Sequence, residues 1–519
     1  MWSPPSVISS ATAMADRTAR CLAVFGTGSD VGKSVTAAAL CRIFSDSGIS
    51  TAPYKAQNMS NNSCVTAEGG EIGRAQAVQA ECARLEPSVH MNPLLLKPSG
   101  NGVSQVVLRG KAVGSAASAD FRHFRARYFD ETAASLNRLR AAHEMVVIEG
   151  AGSCAEVNLR GWDIANFRTA MAGDAAVILV ADIERGGVFA QVIGTLALLE
   201  EEERALVKGI IINRFRGDAA LFEDGRKFIE GKTGLPVLGV VPFDPALDID
   251  AEDSLSLDAS VAHGFHPVNH KVNIAAVRLP HVSNFTDAAP LLRHPSVNLA
   301  WLHSRAPLDG VDLLILPGSK NVRADLRWLA ESGWRDNILG YAKRGGRIMG
   351  ICGGYQMLGT AVDDPHGVEE APGSTPGLGL LDVRTVMAHE KRLARVRAQW
   401  LATSSALAGY EIHMGVTELG KNIQPLISIE EKGKTHPDGA VSADGKIMGT
   451  YLHGLFDEPA FLDDFLKGFG KGNGGGETPS AAVHKEMQYD RLAAHFSRHL
   501  NLKLLFDIAG FGGRERRND

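Results

Sequence analysis

Between residues 20 and 247, short unbroken apolar runs recur along the chain: RCLAVFG, MVVIEGAG, AAVILVADI, VKGIIINRF and LPVLGVVP. Each is rich in β-branched residues and stops at glycine or a polar residue. None alternates polar with apolar, which is the pattern of strands buried on both faces of a parallel sheet. Helical stretches separate them. The alternation predicts a doubly wound α/β domain whose ligands gather beyond the carboxyl ends of the strands. A second series, KVNIAAVRLP, VDLLILPGSK, GGRIMGICGG and KIMGTYLHGLF, predicts another α/β domain over 271–507. Residues 248–270, DIDAEDSLSLDASVAHGFHPVNH, are polar without sustained period and read as a linker. Residues 363–379 read as a long surface loop, and 468–480 as a flexible Gly-rich joint before a terminal amphipathic helix. The first 19 residues are rich in small side chains and lack a signal-peptide core, so they read as a disordered leader, with Met14 as an alternative start.

A chain of 519 residues exceeds what one hydrophobic core supports, in keeping with two large domains. Hydrophobic residues make up 45% and charged residues 22%, the balance of a globular enzyme. A net charge of −5 gives no global attraction to nucleic acid or anionic lipid, so neither is expected as a partner, and anionic substrates must be met by local Arg and Lys. Six cysteines without CxxC pairs argue against a disulfide framework or a zinc site and fit a reducing cytoplasm. No apolar run reaches membrane-spanning length.

Candidate chemistry sits at two places. The first is GTGSDVGKS at 26–34, where a strand runs into glycines and then a helix. Backbone N–H groups of Gly28 and Gly32 at such a turn meet phosphate oxygens, Lys33 adds positive charge, and the Ser34 hydroxyl can hold Mg²⁺. The loop departs from GxxxxGK[ST], because Thr27 stands where the first glycine belongs. Glu149 ends an apolar strand and can reach the same metal. Lys55, after a short strand-like run, can neutralise a phosphoryl group in transfer.

The second place is GICGGYQMLG at 350–359. A strand delivers Cys352 into a turn whose small neighbours permit a strained backbone and close substrate approach. The N–H of Gly353, with a second donor around Gly318, can hold an oxyanion. A thiol needs a base; His453, at the end of a later strand, is the first choice, and His413 its competitor.

GTGSDVGKS with YK and IEGAG resembles the dethiobiotin-synthetase-like branch of P-loop proteins, which phosphorylate carboxylates. That resemblance implies ATP and Mg²⁺ bound by Lys33, Ser34, Lys55 and Glu149, with Asn213 reading adenine. The Cys352 segment resembles class I glutamine amidotransferase domains, which form a glutamyl thioester and release ammonia. Many of those carry a Glu two residues after the His, where this chain has Leu455, so the third catalytic member is open: another group orients the imidazole, or the site is a Cys–His dyad. A broader resemblance spans about 21–465. The blocks YKAQNMSNNS, EIGRAQAVQA, MNPLLLKPSG, IEGAGSCAEVNLRGWDIANF, ADIERGGVFA, LPHVSNFTD and LILPGSKNVRADLRWL resemble the cobyric acid synthase family. This implies glutamine-dependent, ATP-driven amidation of the b, d, e and g carboxylates of adenosylcobyrinic acid a,c-diamide, a corrinoid. Asn58, Asn62, Ser63 and Arg74 are candidate substrate contacts, and Glu71 and Asp182 further candidate metal carboxylates. The alternatives are a cobyrinic acid a,c-diamide synthase-type ligase and a partition-type P-loop ATPase switch.

Overall fold

The computed structural model describes residues 18–514 apart from 101, 118–119, 251, 253–256, 258–260, 263, 422, 432 and 472–478. Most of the expected leader lies outside the described residues.

The amino-terminal apolar runs form one parallel sheet. Its strands are β1 (Arg20–Gly26), β2 (Thr51–Tyr54), β3 (Met145–Glu149), β4 (Ala176–Asp182), β5 (Val207–Phe215) and β6 (Val237–Pro242). They lie in the order β6-β5-β4-β1-β3-β2, so the sheet reverses direction of growth at β1. The loop after β1 therefore opens at the crevice where doubly wound sheets collect ligands. Helix α1 (Lys33–Asp46) follows that loop, and α2 (Arg74–Cys82) packs beside it.

The second domain has a seven-stranded sheet. Its members are β7 (Val261–Ala262), β8 (Val272–Val277), β9 (Val297–Leu302), β10 (Leu313–Leu316), β11 (Arg347–Ile351), β12 (Ala440–Val441) and β13 (Ile447–Thr450). The order is β7-β9-β8-β10-β11-β13-β12, parallel except for the β12 edge. Helix α3 (Gly353–Leu358) begins directly after β11. A mostly antiparallel sheet, built around Val383–Trp400 and Ala406–Leu419, completes this domain. Part of the expected surface loop joins it, since Gly373–Pro376 pairs with Ala361–Asp364.

Two segments depart from the sequence reading. The stretch read as a linker is bound by its acids: Asp248 pairs with Arg293 and His484, and Glu252 reaches Lys55. Val261–Ala262 adds to the second sheet's edge. The terminal helix, assigned to the second domain, packs on the first. Tyr489, Leu492, Ala493 and Phe496 of α4 (Ala481–His499) recur at 3, 4 and 7 residues and enter the core with Leu40 and Phe44. The guanidinium of Arg42, buried in α1, pairs with Glu486 and Asp490 at 2.7 Å each. Leu500 bridges to Gly239 on edge strand β6, and Phe506 of α5 (Leu502–Ile508) meets Phe44 with ring centroids 5.2 Å apart. The helix buries its apolar stripe where a complementary face exists, whichever domain precedes it in sequence.

Candidate functional site

Five side chains, Lys33, Ser34, Lys55, Glu149 and Glu252, meet at the carboxyl end of the first sheet. The loop after β1 turns at Gly32, whose φ of 93° is left-handed. A Cβ there would lie 2.1 Å from the Asn213 amide nitrogen, so the position requires glycine on both counts. Lys33 Nζ donates to the Gly28 carbonyl at 2.9 Å, curling back over the loop. Ser34 Oγ lies 2.7 Å from Glu149 Oε1 and 2.8 Å from Glu252 Oε2. Lys55 Nζ donates to the same two carboxylates, at 2.9 and 2.6 Å. Burial opposes charge on Lys55, yet Glu149 and then Glu252 hold its pKa above the ordinary lysine value. Burial also disfavours charge on Lys33 and lowers its pKa. Gln76 and Gln79 of α2 donate to the second oxygen of Glu149 at 3.1 and 2.6 Å, fixing the carboxylate's plane.

Lys33, Ser34, Lys55 and Glu149 thus stand together. Asn213 is also present, but its amide donates to the Val31 carbonyl at 3.0 Å and so is committed to holding the loop. Asp182 accepts from the Glu184 N–H and pairs with Arg214, apart from Ser34 and Glu149. Glu71 is elsewhere too, gripped by Lys97 and Lys391 across the two domains, which keeps its pKa low against the pull of burial. Among the described residues, Glu71 and Asp182 are each held by cationic side chains away from Ser34. Glu252 was missed: a carboxylate in a polar stretch carries no local signal of a distant site.

The candidate substrate residues turn to protein partners. Asn58 donates to Gln76, Ser63 donates its backbone N–H to Asn284, and Arg74 donates to the Tyr410 hydroxyl at 2.7 Å. The Asn62 carbonyl accepts the Arg74 N–H. Ser63 and Arg74 lie at the boundary between the domains, because Asn284 and Tyr410 belong to the second one.

The thiol site is built on close backbone approach. Cys352 has φ 51° and ψ −105°, a strained conformation for a non-glycine residue. A Cβ on Gly354 would fall 1.9 Å from the Leu316 carbonyl oxygen, so α3 can press against β10 only with glycine there. Gly318 stands against His453, its would-be Cβ 3.4 Å from the ring Cε1, and Gly353 abuts the Ser319 N–H. Cys352 lines a cavity of about 50 Å³ with Gly353, Gln356, Asn284 and Lys97.

His453 Nδ1 lies 2.7 Å from Asp287 Oδ2, and the Gly454 N–H donates to Asp287 Oδ1 at 2.9 Å. Burial works against an imidazolium here, but Asp287 and then Cys352 hold the His453 pKa up to about 10. Asp287 is therefore the acid that the fold sets beside the imidazole, where the sequence left the third place open, while Leu455 is buried in the core. Its signal was present within SNFTD, but 166 residues separate it from the imidazole. His413 lines the same cavity, yet its Nδ1 is bound to the Gly415 carbonyl and its ring stacks on Tyr451 at 3.8 Å.

Comparison with known proteins covers both domains. Residues 22–257 match the family described as CobQ/CobB/MinD/ParA nucleotide binding domain, and residues 273–461 match the CobB/CobQ-like glutamine amidotransferase domain. The chain is 53% identical over 492 residues to the cobyric acid synthase of Chlorobaculum tepidum, covering 94% of this chain and 98% of that one. Identity to the protein of the same name from Pelodictyon phaeoclathratiforme is 51%, over 95% and 98% of the two chains. For Paracoccus denitrificans the identity is 48%, over 94% and 99%.

Proposed function

Since this chain belongs to the cobyric acid synthase family, an ATP-dependent amide ligase with glutamine amidotransferase activity in cobalamin biosynthesis, we propose that its two sites act in sequence on nitrogen. The observation that carries this reading is His453 set between Asp287 and Cys352, joined in one polypeptide to a phosphate loop whose Ser34 and Lys55 meet Glu149. The attached amidotransferase domain disfavours a partition-type switch, which has no use for it.

In the carboxyl-terminal domain, the Cys352 sulfur attacks the side-chain carbonyl carbon of glutamine. The C–N bond breaks, and ammonia leaves with a proton from His453. The N–H groups of Gly353 and of Gly318, in the short strand Gly318–Ser319, would hold the developing oxyanion. Water then cleaves the thioester, giving glutamate and restoring the thiolate. Asp287 keeps the imidazole oriented and its charge balanced.

In the amino-terminal domain, a substrate carboxylate oxygen attacks the γ-phosphorus of ATP, and the bond to the β-phosphate oxygen breaks. Lys33 and Lys55 offset the charge on the transferring group. Ammonia attacks the acyl carbon, phosphate departs with the C–O electron pair, and the amine loses a proton to give the amide. The oxygen donors Ser34 and Glu149, with the buried Gln79 Oε1, unpaired among the described residues, beside them, fit a hard cation such as Mg²⁺. Mg²⁺ bound there would neutralise phosphate charge. The proposed substrate is adenosylcobyrinic acid a,c-diamide, amidated at b, d, e and g.

Mass spectrometry of the corrinoid after incubation with ATP, Mg²⁺ and glutamine tests this, with a gain of four amides expected. Cys352→Ala should lose glutamine-dependent amidation and retain amidation from ammonium salts, whereas Lys33→Ala should lose both. Loss of both activities in folded Cys352→Ala protein would refute the two-site scheme.

A further inference from the structure

His453 is held by more than Asp287. The Tyr410 ring stacks on it with centroids 5.2 Å apart and planes 16° from parallel. Tyr410 and His453 are also partners across paired strands, so the stack is fixed by the ladder. The far end of Tyr410 is set by the other domain, because its hydroxyl accepts from the buried Arg74 guanidinium at 2.7 Å. Arg74 is the first residue of α2. Further along that helix stand Gln76 and Gln79, the two side chains that orient the Glu149 carboxylate. A helix of nine residues is about 13 Å of stiff rod. Arg74, at its first position, touches the ring against which the catalytic imidazole lies, while Gln76 and Gln79, two and five residues on, touch the nucleotide site.

Asn284 runs a second link beside the first. Its Oδ1 accepts the Ser63 N–H at 3.0 Å, which leaves its amide nitrogen 3.4 Å from His453 Nε2, a hydrogen bond to that nitrogen in the neutral ring and a packing contact in the imidazolium. The backbone donor dictates that orientation, since only the oxygen can accept. Both links start in the amino-terminal domain and end on the same imidazole.

Resting on the reading that Cys352 and His453 hydrolyse glutamine, we propose that Arg74 is a positioning residue for that reaction, acting through Tyr410, and that α2 makes it answer to the nucleotide site. Arg74 touches no reacting atom. Its effect is on the angle of a ring whose misplacement by about 1 Å costs roughly a hundredfold in rate. Nucleotide at Ser34 and Lys55 must displace the present contacts of Glu149, and the two glutamines carry that change to the start of the helix.

The test compares full-length wild type, Arg74→Ala, Tyr410→Phe and the double variant. Glutamate release is measured with and without Mg-ATP, together with amidation driven by ammonium salt. Arg74→Ala is expected to lower glutaminase kcat by about 10- to 100-fold with glutamine KM within about twofold. It should also lose the response to Mg-ATP expected of wild type, and keep ammonia-driven amidation. Tyr410→Phe, which removes one oxygen and leaves the core intact, should move kcat the same way. The double variant should be no worse than the weaker single one, because both break one contact. Independent multiplicative losses, a change in KM alone, a matching fall in ammonia-driven amidation, or wild-type glutaminase indifferent to Mg-ATP would each overturn the proposal. If Arg74→Ala does not fold, Tyr410→Phe alone decides. A wild type that hydrolyses no glutamine would instead sink the underlying reading of the thiol site.

Discussion

Replacing Asp287 by Asn keeps size and shape while removing one charge from beside His453. The carboxylate lies 2.7 Å from Nδ1 and is nearly buried with it. Unit charges about 4 Å apart at an effective dielectric of about 20 interact by roughly 4 kcal/mol. That energy corresponds to about a thousandfold in rate if it supports the imidazolium in the transition state. An amide facing Nδ1 can also donate to it, which puts the ring proton on Nε2, where the thiol proton must go. Glutaminase kcat in Asp287→Asn should therefore fall by about 1,000-fold, while ammonia-driven amidation stays near wild type. The pH profile supplies a second readout. With the His453 pKa held up to about 10, the wild-type imidazolium survives well above neutrality. Without the carboxylate the ring discharges earlier, and the alkaline limb of kcat/KM should move down by about 2 units or more. The linkage has a definite sign, because the folded pKa lies above the ordinary value of 6.5. This stabilisation is full below that value and vanishes as pH rises through about 10, so Asp287→Asn should cost most stability at acid and neutral pH. Glutaminase within threefold of wild type, or an unmoved alkaline limb, would refute the argument.

Gly354→Ala should destabilise the protein by about 3 kcal/mol in a urea melt, because its Cβ meets backbone that cannot retreat. An unchanged midpoint would show that α3 and β10 separate freely. Glu252→Gln removes an anion from between Ser34 and Lys55, where phosphate must come, and should tighten Mg-ATP binding severalfold by calorimetry. Weaker binding would instead mark Glu252 as a carboxylate that holds the metal.

The phosphate loop could be read because its parts are contiguous: nine residues carry the turn, the lysine and the hydroxyl. Cys352 was legible for the same reason, its strand and glycines being its neighbours. Asp287 and Glu252 were not, since each reaches its site by tertiary packing across more than a hundred residues. Two residues past His453 the chain has Leu455, whereas the fold brings an acid from the 3-10 turn after Asn284. Arg74 and Ser63 stand out in sequence as polar residues in unusual blocks, but a ligand contact and a domain contact call for the same residue types. The terminal helix showed its apolar stripe plainly; the face that receives it is assembled from α1 and β6, far upstream.

That last arrangement sets an order on synthesis. The amino-terminal domain lacks Phe496, Leu505 and Phe506, all buried in its core, until the ribosome reaches them. Some 250 residues intervene after β6, about 10 to 50 s of translation at ordinary speed. During that wait the outer faces of α1 and β6 stand bare, while the second domain has its own strands in hand and can fold. The half that is made first is therefore the half that is finished last, and a nascent chain stalled short of residue 496 would expose a sticky surface for chaperones to find.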